Sequence, residues 1–343
     1  MSLPNRVRPT AQIASVDWNV SPPRWEALLM ACREATYFHT NLWLEALEQG
    51  LGAQLARTKL TFTDGNWALL PLCLHRFAGG YLPLAIAGET GVYGALVSPR
   101  GLEEHALTEA FERVRQRYRS ARVWDNPFAR SEVVPRTASH WQPLSQSTHW
   151  LPLAPPEQMW AAFSRGCKAR CNKARRLGVR VTWQTDAAAV AIFDRLYRES
   201  IQRWGPRLTW ERPAAFFQAV VSRGDGNAQV AIAWREATPV AAMIFLHHGE
   251  GVHYLAGASA TQEREAAPAN ALLEAALARY WRAGARYLDL GPSQGLEGVR
   301  QFKSSFGAQE RAFSGWETIR PATRAFLALR YGLGRLHHRS GGS

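Results

Sequence analysis

The sequence predicts an α/β (α+β) protein built from two tandem mixed units, and three observations carry that expectation. Its 343 residues are about twice a common single domain, so each half is long enough for its own core. The composition, 46% apolar and 20% charged, is that of a folded chain. The order strand, turn, strand, strand, helix, strand occurs once in each half.

In the first half a helix is predicted over 41–49. A hairpin follows, with strands at 54–62 and 67–75 around Thr63-Asp64-Gly65-Asn66, a polar turn between two β-rich runs. A third strand is predicted at 92–97, a helix at 102–118 and a last strand at 122–124. The second half repeats the order: strands at 228–235, 240–247 and 252–256, a helix at 268–283 and a strand at 286–290. Pro268 opens that helix and Gly284 follows it, the positions helix termini favour. The join lies in Leu-Pro-Leu-Ala-Pro-Pro at 151–156, giving domains 1–150 and 151–320 and a basic C-terminal helix and tail at 321–343. Two more helices are predicted at 187–204 and 212–221.

Lys and Arg outnumber Asp and Glu 41 to 28, a net +13. That balance concentrates polyanions such as RNA, nucleotide-linked substrates or anionic membrane surfaces around the protein. Four scattered cysteines are too few for a disulfide framework. The first residues have no apolar core of a secretory signal, and the apolar stretch 67–88 is broken by Pro71, His75, Arg76, Gly79, Gly80 and Pro83. A cytoplasmic location without a membrane anchor is expected, with peripheral membrane contact through the basic tail left open.

The most informative helix is predicted over 160–178. At about 100° per residue, Trp160, Phe163, Cys167, Cys171 and Ala174 form one stripe about 80° wide. Arg165, Lys168, Arg170, Lys173, Arg175 and Arg176 occupy the opposite arc, with no acid among them. Such a face is either solvated or a phosphate-binding surface, because six cations repel one another unless an anion sits nearby. Both thiols lie on the core stripe and no partner pair completes a zinc set, so no metal is expected.

A second candidate segment is Leu288-Asp289-Leu290-Gly291-Pro292, followed by Phe302-Lys303-Ser304-Ser305-Phe306-Gly307. It reads as a strand end followed by a loop that carries one lysine between aromatics, where α/β sites tend to lie. In a protein with four lysines against thirty-seven arginines, Lys303 suits a point charge better than a planar fork.

Several ordered runs resemble the Fem-type aminoacyltransferases and their acyl-transferring relatives, which share a double acetyltransferase (GNAT) fold. They are Phe163-Ser164 with 170–181, then 200–205, then 254–270 with Ala267-Pro268-Ala269-Asn270, and Asp289-Leu290-Gly291 with Phe302-Lys303-x-x-Phe306-Gly307. The first half matches through 38–43 and Val92-Tyr93-Gly94, which makes Tyr93 a substrate-binding candidate. The resemblance implies two tandem GNAT-like domains and attack of an amine on an acyl ester carried by tRNA, with no cofactor beyond that donor and a peptide or cell-wall precursor as acceptor. It places Lys303, beside Phe302, at the reaction centre. It gives Tyr254 and Glu317 a part in binding substrate, and Arg203 or Arg207 an anionic part of the acceptor. A lysine found in the first helix of cell-wall members has no match at 43–49, and the long helical arm of some members is absent.

The chemistry of the residues agrees. An amine attacking an ester builds an oxyanion that a fixed cation such as Lys303 stabilises. The proton lost by the amine can go to Glu317, to Asp289 or to the substrate. Asp289 also fits a strand-end carboxylate that caps the following turn.

Two other functions fit the composition. An acyl-CoA N-acyltransferase of this fold uses a Gly-rich turn at a helix N-terminus to hold pyrophosphate. Here the matching stretch carries Gln262-Glu263-Arg264-Glu265 instead, while Gly88-x-x-Gly91-x-x-Gly94 lies in the wrong place. A non-catalytic RNA- or membrane-binding protein would use the tail, where Arg320, Arg324, Arg330, Arg335 and Arg339 interleave with Phe326, Leu329 and Leu333.

Overall fold

The computed structural model describes residues 11–89, 92–129, 140–204, 211–293 and 295–331, apart from the side chains of 204, 330 and 331. The chain forms two compact units, one of 1–35, 54–145 and 314–343 and the other of 36–53 and 146–313.

The first unit contains β1 (Ile13–Asp17), α1 (Pro22–Leu29), β2 (Gln54–Phe62), β3 (Trp67–Phe77), β4 (Leu82–Ala87), α3 (Glu104–Tyr118) and β5 (Ala121–Trp124). The end of β12 (Gln309–Thr318) and α10 (Pro321–Tyr331) complete it. Strands β1 to β4 pair antiparallel in sequence order, β4 pairs parallel with β5 across α3, and β5 pairs antiparallel with β12. The core lies between this sheet and α3, where Leu60, Leu70, Leu72 and Ala85 meet Ala110, Phe111 and Val114.

The second unit contains α2 (Asn41–Leu51), the larger part of β6 (Gln142–Pro152), α4 (Pro156–Ala162), α5 (Arg165–Arg176), β7 (Val179–Gln184), α6 (Ala187–Trp204) and α7 (Ala214–Arg223). It continues with β8 (Ala228–Arg235), β9 (Thr238–His248), β10 (Gly251–Ser259), α8 (Pro268–Arg282), β11 (Tyr287–Asp289) and α9 (Glu297–Ser305). Strands β7 to β10 pair antiparallel in order, β10 pairs parallel with β11 across α8, and β11 pairs antiparallel with β6. The two topologies match strand for strand. A helix that joins two parallel neighbours is the crossover such a pair requires.

Four local features differ from the sequence expectations. The units interleave instead of dividing at 151–156, because α2 packs on α7. Gly50 lies so close that a Cβ there would stand 2.5 Å from the Phe216 Cα, and Trp43 meets the Phe216 ring edge-on at 5.8 Å. The third strand of the first unit is β4, not 92–97. Gly88 and Gly94 close on each other, a Cβ on Gly94 falling 2.8 Å from the Gly88 amide nitrogen, and 92–97 forms only an isolated bridge, Val97 with Leu69. The helix expected over 160–178 breaks at Phe163 and Ser164, where the Ser164 hydroxyl caps α5 by accepting from the Cys167 amide at 3.1 Å. Phe302 and Lys303 lie on α9, not in a loop.

Candidate active site

In the second unit the parallel strands β10 and β11 are paired only over Gly251–His253 and Tyr287–Asp289. Immediately beyond, the β9–β10 register slips between Tyr254 and Ala256, leaving Leu255 as an extra residue. A bulge of this kind bends its strand and increases its twist. Strand β10 runs on to Ser259 while β11 stops at Asp289, so the two strands part at their C-terminal ends, the end of the sheet at which α/β proteins bind ligands. Tyr254 sits at the point of parting. Its hydroxyl lies across Gly257, where a Cβ would stand 2.4 Å away, and its ring meets Phe245 edge-on at 5.9 Å. Burial pushes its phenol pKa up.

Lys303 closes the same region from α9. Its side chain is 4% exposed, and Nζ donates to the carbonyls of Gly291 at 2.8 Å and Pro292 at 2.9 Å, in the turn that follows β11. Burial pushes the ammonium pKa down to about 7, against the opposing pull of the Asp289 charge. Beside it, Phe302 packs on Phe306 at 5.3 Å and Phe306 on Phe163 at 4.9 Å, which fixes α9 to the core.

Asp289 organises the turn. One carboxylate oxygen accepts from the Thr148 hydroxyl and, at 3.0 Å, from the Gly291 amide; the other lies 3.3 Å from His253 Nδ1. Burial raises its pKa, but the hydrogen bonds and charge of these neighbours outweigh it, and the net shift is downward. The acid is therefore held ionised with both oxygens engaged. His253 is buried between the rings of Phe38 at 4.8 Å and Tyr287 at 6.1 Å. His149 donates its amide to the Gly291 carbonyl at 3.2 Å, and burial, then the Lys303 charge, lowers its imidazole pKa.

Asp289 and Lys303 thus come together at the turn after β11, with Tyr254 on the neighbouring strand and Phe302 next to Lys303 on α9. Glu317 belongs to the first unit, where one oxygen takes Arg122 at 2.7 Å and the other Arg324 at 2.9 Å. Tyr93, in the same unit, is buried with Phe128 at 6.0 Å. Arg203 binds the segment after β10 through the Ser259 carbonyl and the Thr261 hydroxyl, at 3.2 and 2.9 Å, which gives it a holding role. Arg207 lies outside the described residues. Sequence reasoning misses His253, because its partnership with Asp289 depends on parallel register across an intervening helix.

Helix α5 buries Cys167, Cys171 and Ala174, as the stripe predicts. Its basic residues divide into two groups. Arg175 pairs with Glu274 on α8 and lies over the Trp160 ring at 4.9 Å, and Lys168 donates to the Ala161 carbonyl at 3.1 Å. Arg165, Arg170 and Arg176 are exposed, and no acid among the described residues pairs with them or with Lys173. All four cysteines are free, and among the described residues no cluster of His, Cys, Asp or Glu is able to hold a metal.

The family model described as an acetyltransferase (GNAT) domain matches residues 161–304, which include α5, Tyr254, Asp289 and Lys303. The structure superposes on that of FemX with a TM-score of 0.69 at 13% identity, covering 92% of this chain and all of that one. The chain has a Fem-like, tandem GNAT fold. The structure is also similar to that of L-PGS from Bacillus licheniformis, with a TM-score of 0.57 at 13% identity over 92% of this chain and 98% of that one. A tandem GNAT protein from the clavulanic acid biosynthesis pathway gives 0.52 at 14% identity over 89% and 98%. No curated protein matches the sequence. No helix among the described residues is long and apolar enough to cross a membrane.

Proposed function

We propose that this protein is an aminoacyl-tRNA-dependent acyltransferase that forms an amide on an amine acceptor, a peptide or cell-wall precursor. The observation that carries the reading is the buried Lys303 ammonium at the parting of β10 and β11. The match to an acetyltransferase (GNAT) domain model and the fold shared with FemX support acyl transfer as the chemistry class here.

In the reaction the acceptor amine attacks the ester carbonyl carbon, and the carbonyl oxygen takes up the negative charge. Lys303, in its protonated form, stabilises that oxyanion. When the intermediate collapses, the C–O bond to the tRNA ribose breaks, the amide forms, and the ribose oxygen leaves with a proton that the amine gave up. Asp289 acts as a positioning residue: it fixes the Gly291 amide, so the turn presents two carbonyls to Lys303 and aims its charge. Tyr254 lines the opposite side. The exposed cations of α5 hold the donor's phosphates, and a tRNA donor places the reaction in the cytoplasm.

An acyl-CoA donor fits the helix terminus less well. At α8 the first residue is Pro268, which has no N–H, and the amides of Ala266, Ala267 and Asn270 already donate to the carbonyls of Glu263, Arg264 and Ala267. A pyrophosphate requires such amides to be turned towards it. Offering the purified protein charged tRNA and acyl-CoA with the same amine tests the choice: amide forms from the charged tRNA alone, and turnover of acyl-CoA alone refutes the donor assignment.

A further inference from the structure

We propose that a cavity of about 410 Å³ in the first unit binds the phosphate or diphosphate group of a small-molecule ligand. Its size falls within the range of about 300–1,000 Å³ seen for small-molecule sites. Arg115 and Arg119 reach it from the C-terminal end of α3, His140 from the approach to β6, and Thr318 and Arg320 from the end of β12.

Three guanidinium groups line the cavity and no carboxylate does. Glu317, next to Thr318 in the sequence, is engaged by Arg122 and Arg324, and Glu112 on α3 takes Arg115 Nε at 2.7 Å. Cations commonly collect at a helix C-terminus, but that end supplies only about half an elementary negative charge, too little to balance Arg119 and Arg320, which have no acid partner among the described residues. Arg320, moreover, comes from outside the helix.

Arg320 also leaves a donor unsatisfied. It is held by its amide, which donates to the Ser120 hydroxyl at 3.2 Å, and by one guanidinium nitrogen, which donates to the Tyr81 carbonyl at 3.0 Å. Its Nε is buried with no acceptor among the described residues. A buried donor without a partner is costly, so the protein holds this arginine at the cavity at some expense. Arg119 adds a third sign. It occupies φ +60° at the end of α3, a conformation that glycine adopts freely and other residues rarely do. An arginine kept there places a guanidinium at the rim despite the backbone strain. Arginine forks match phosphate oxygens in pairs, which selects phosphate over a simple halide.

This site does not depend on the acyl-transfer chemistry of the second unit, and calorimetry at low ionic strength tests it with inorganic phosphate, pyrophosphate and a nucleoside diphosphate. Arg119→Gly removes a guanidinium while suiting the backbone, so it preserves the fold, and Arg320→Gln removes the second. Each should weaken pyrophosphate binding tenfold or more, with circular dichroism unchanged. Absence of binding by all three probes, or wild-type affinity in the double variant, overturns the proposal. Binding at this cavity by an RNA oligonucleotide but by none of the three overturns it in favour of a phosphodiester surface.

Discussion

His253 Nδ1 lies 3.3 Å from Asp289 Oδ2, and the two residues are direct partners in the parallel ladder of β10 and β11. The pair holds a carboxylate ionised inside the second unit, one residue from where β10 bulges and at the point where β11 ends. Removing one member of a buried, hydrogen-bonded pair typically costs about 3–5 kcal/mol. Asp289→Asn should therefore lower the melting temperature clearly at neutral pH. Because the folded-state pKa of Asp289 is depressed, this stabilisation is complete above the unfolded value and is lost as pH falls through the folded one. The gap between wild type and Asp289→Asn should narrow below about pH 4. A gap constant from pH 7 to pH 3 would contradict the ionised assignment.

Lys303 has the opposite linkage. Its folded pKa, about 7, lies below the ordinary value, so the unfolded chain binds the extra proton between about pH 7 and pH 10. Wild-type stability should rise with pH across that window relative to Lys303→Met, and the difference should be flat below about pH 6. Thermal melts at matched pH values measure it. Parallel curves for the two proteins would mean the lysine is not desolvated.

Gly257 is required because Tyr254 crosses it. A Cβ at that position would meet the hydroxyl at 2.4 Å, and overpacking of this sort costs about 1–3 kcal/mol. Gly257→Ala should displace the ring and reduce transfer at saturating donor, with a smaller loss in the Tyr254→Phe background where no hydroxyl collides. Equal losses in both backgrounds would show that the tyrosine is not what the glycine accommodates.

The cations of α5 make a separate prediction about salt. Replacing Arg165, Arg170 and Arg176 by alanine should flatten the dependence of tRNA affinity on salt by roughly 0.7–0.9 for each phosphate no longer neutralised. Folding should be unaffected, since exposed charges contribute little. An unchanged slope would leave this face merely solvated.

What a single sequence reveals of this protein depends on distance along the chain. The order of elements in the second unit, the buried stripe of Cys167, Cys171 and Ala174, and the prominence of Lys303 all follow from local periodicity or composition. Strand β4 is hidden because Leu82-Pro83-Leu84 lies among glycines and a proline, while the glycines at 88 and 94 imitate a strand start. The exchange of 36–53 into the second unit depends on α2 meeting α7, and the role of His253 on strand register. Neither leaves a mark in a single sequence. Glu317 is singled out through the family resemblance, whereas its two arginine partners are set by β5 and α10 in the fold.

If the Lys303 ammonium stabilises the oxyanion of acyl transfer, its removal must slow the chemical step itself. Single-turnover transfer from aminoacyl-tRNA to hydroxylamine, an acceptor already neutral near pH 7, tests this without an identified natural acceptor. Loss of one preorganised oxyanion donor typically lowers the rate about 10²–10³-fold. Lys303→Met should show a loss of that size with intact folding and tRNA affinity, and the wild-type rate should fall as pH rises above about 7, where the ammonium deprotonates. A Lys303→Met rate within a few-fold of wild type, or a wild-type rate that climbs through pH 7, would contradict it.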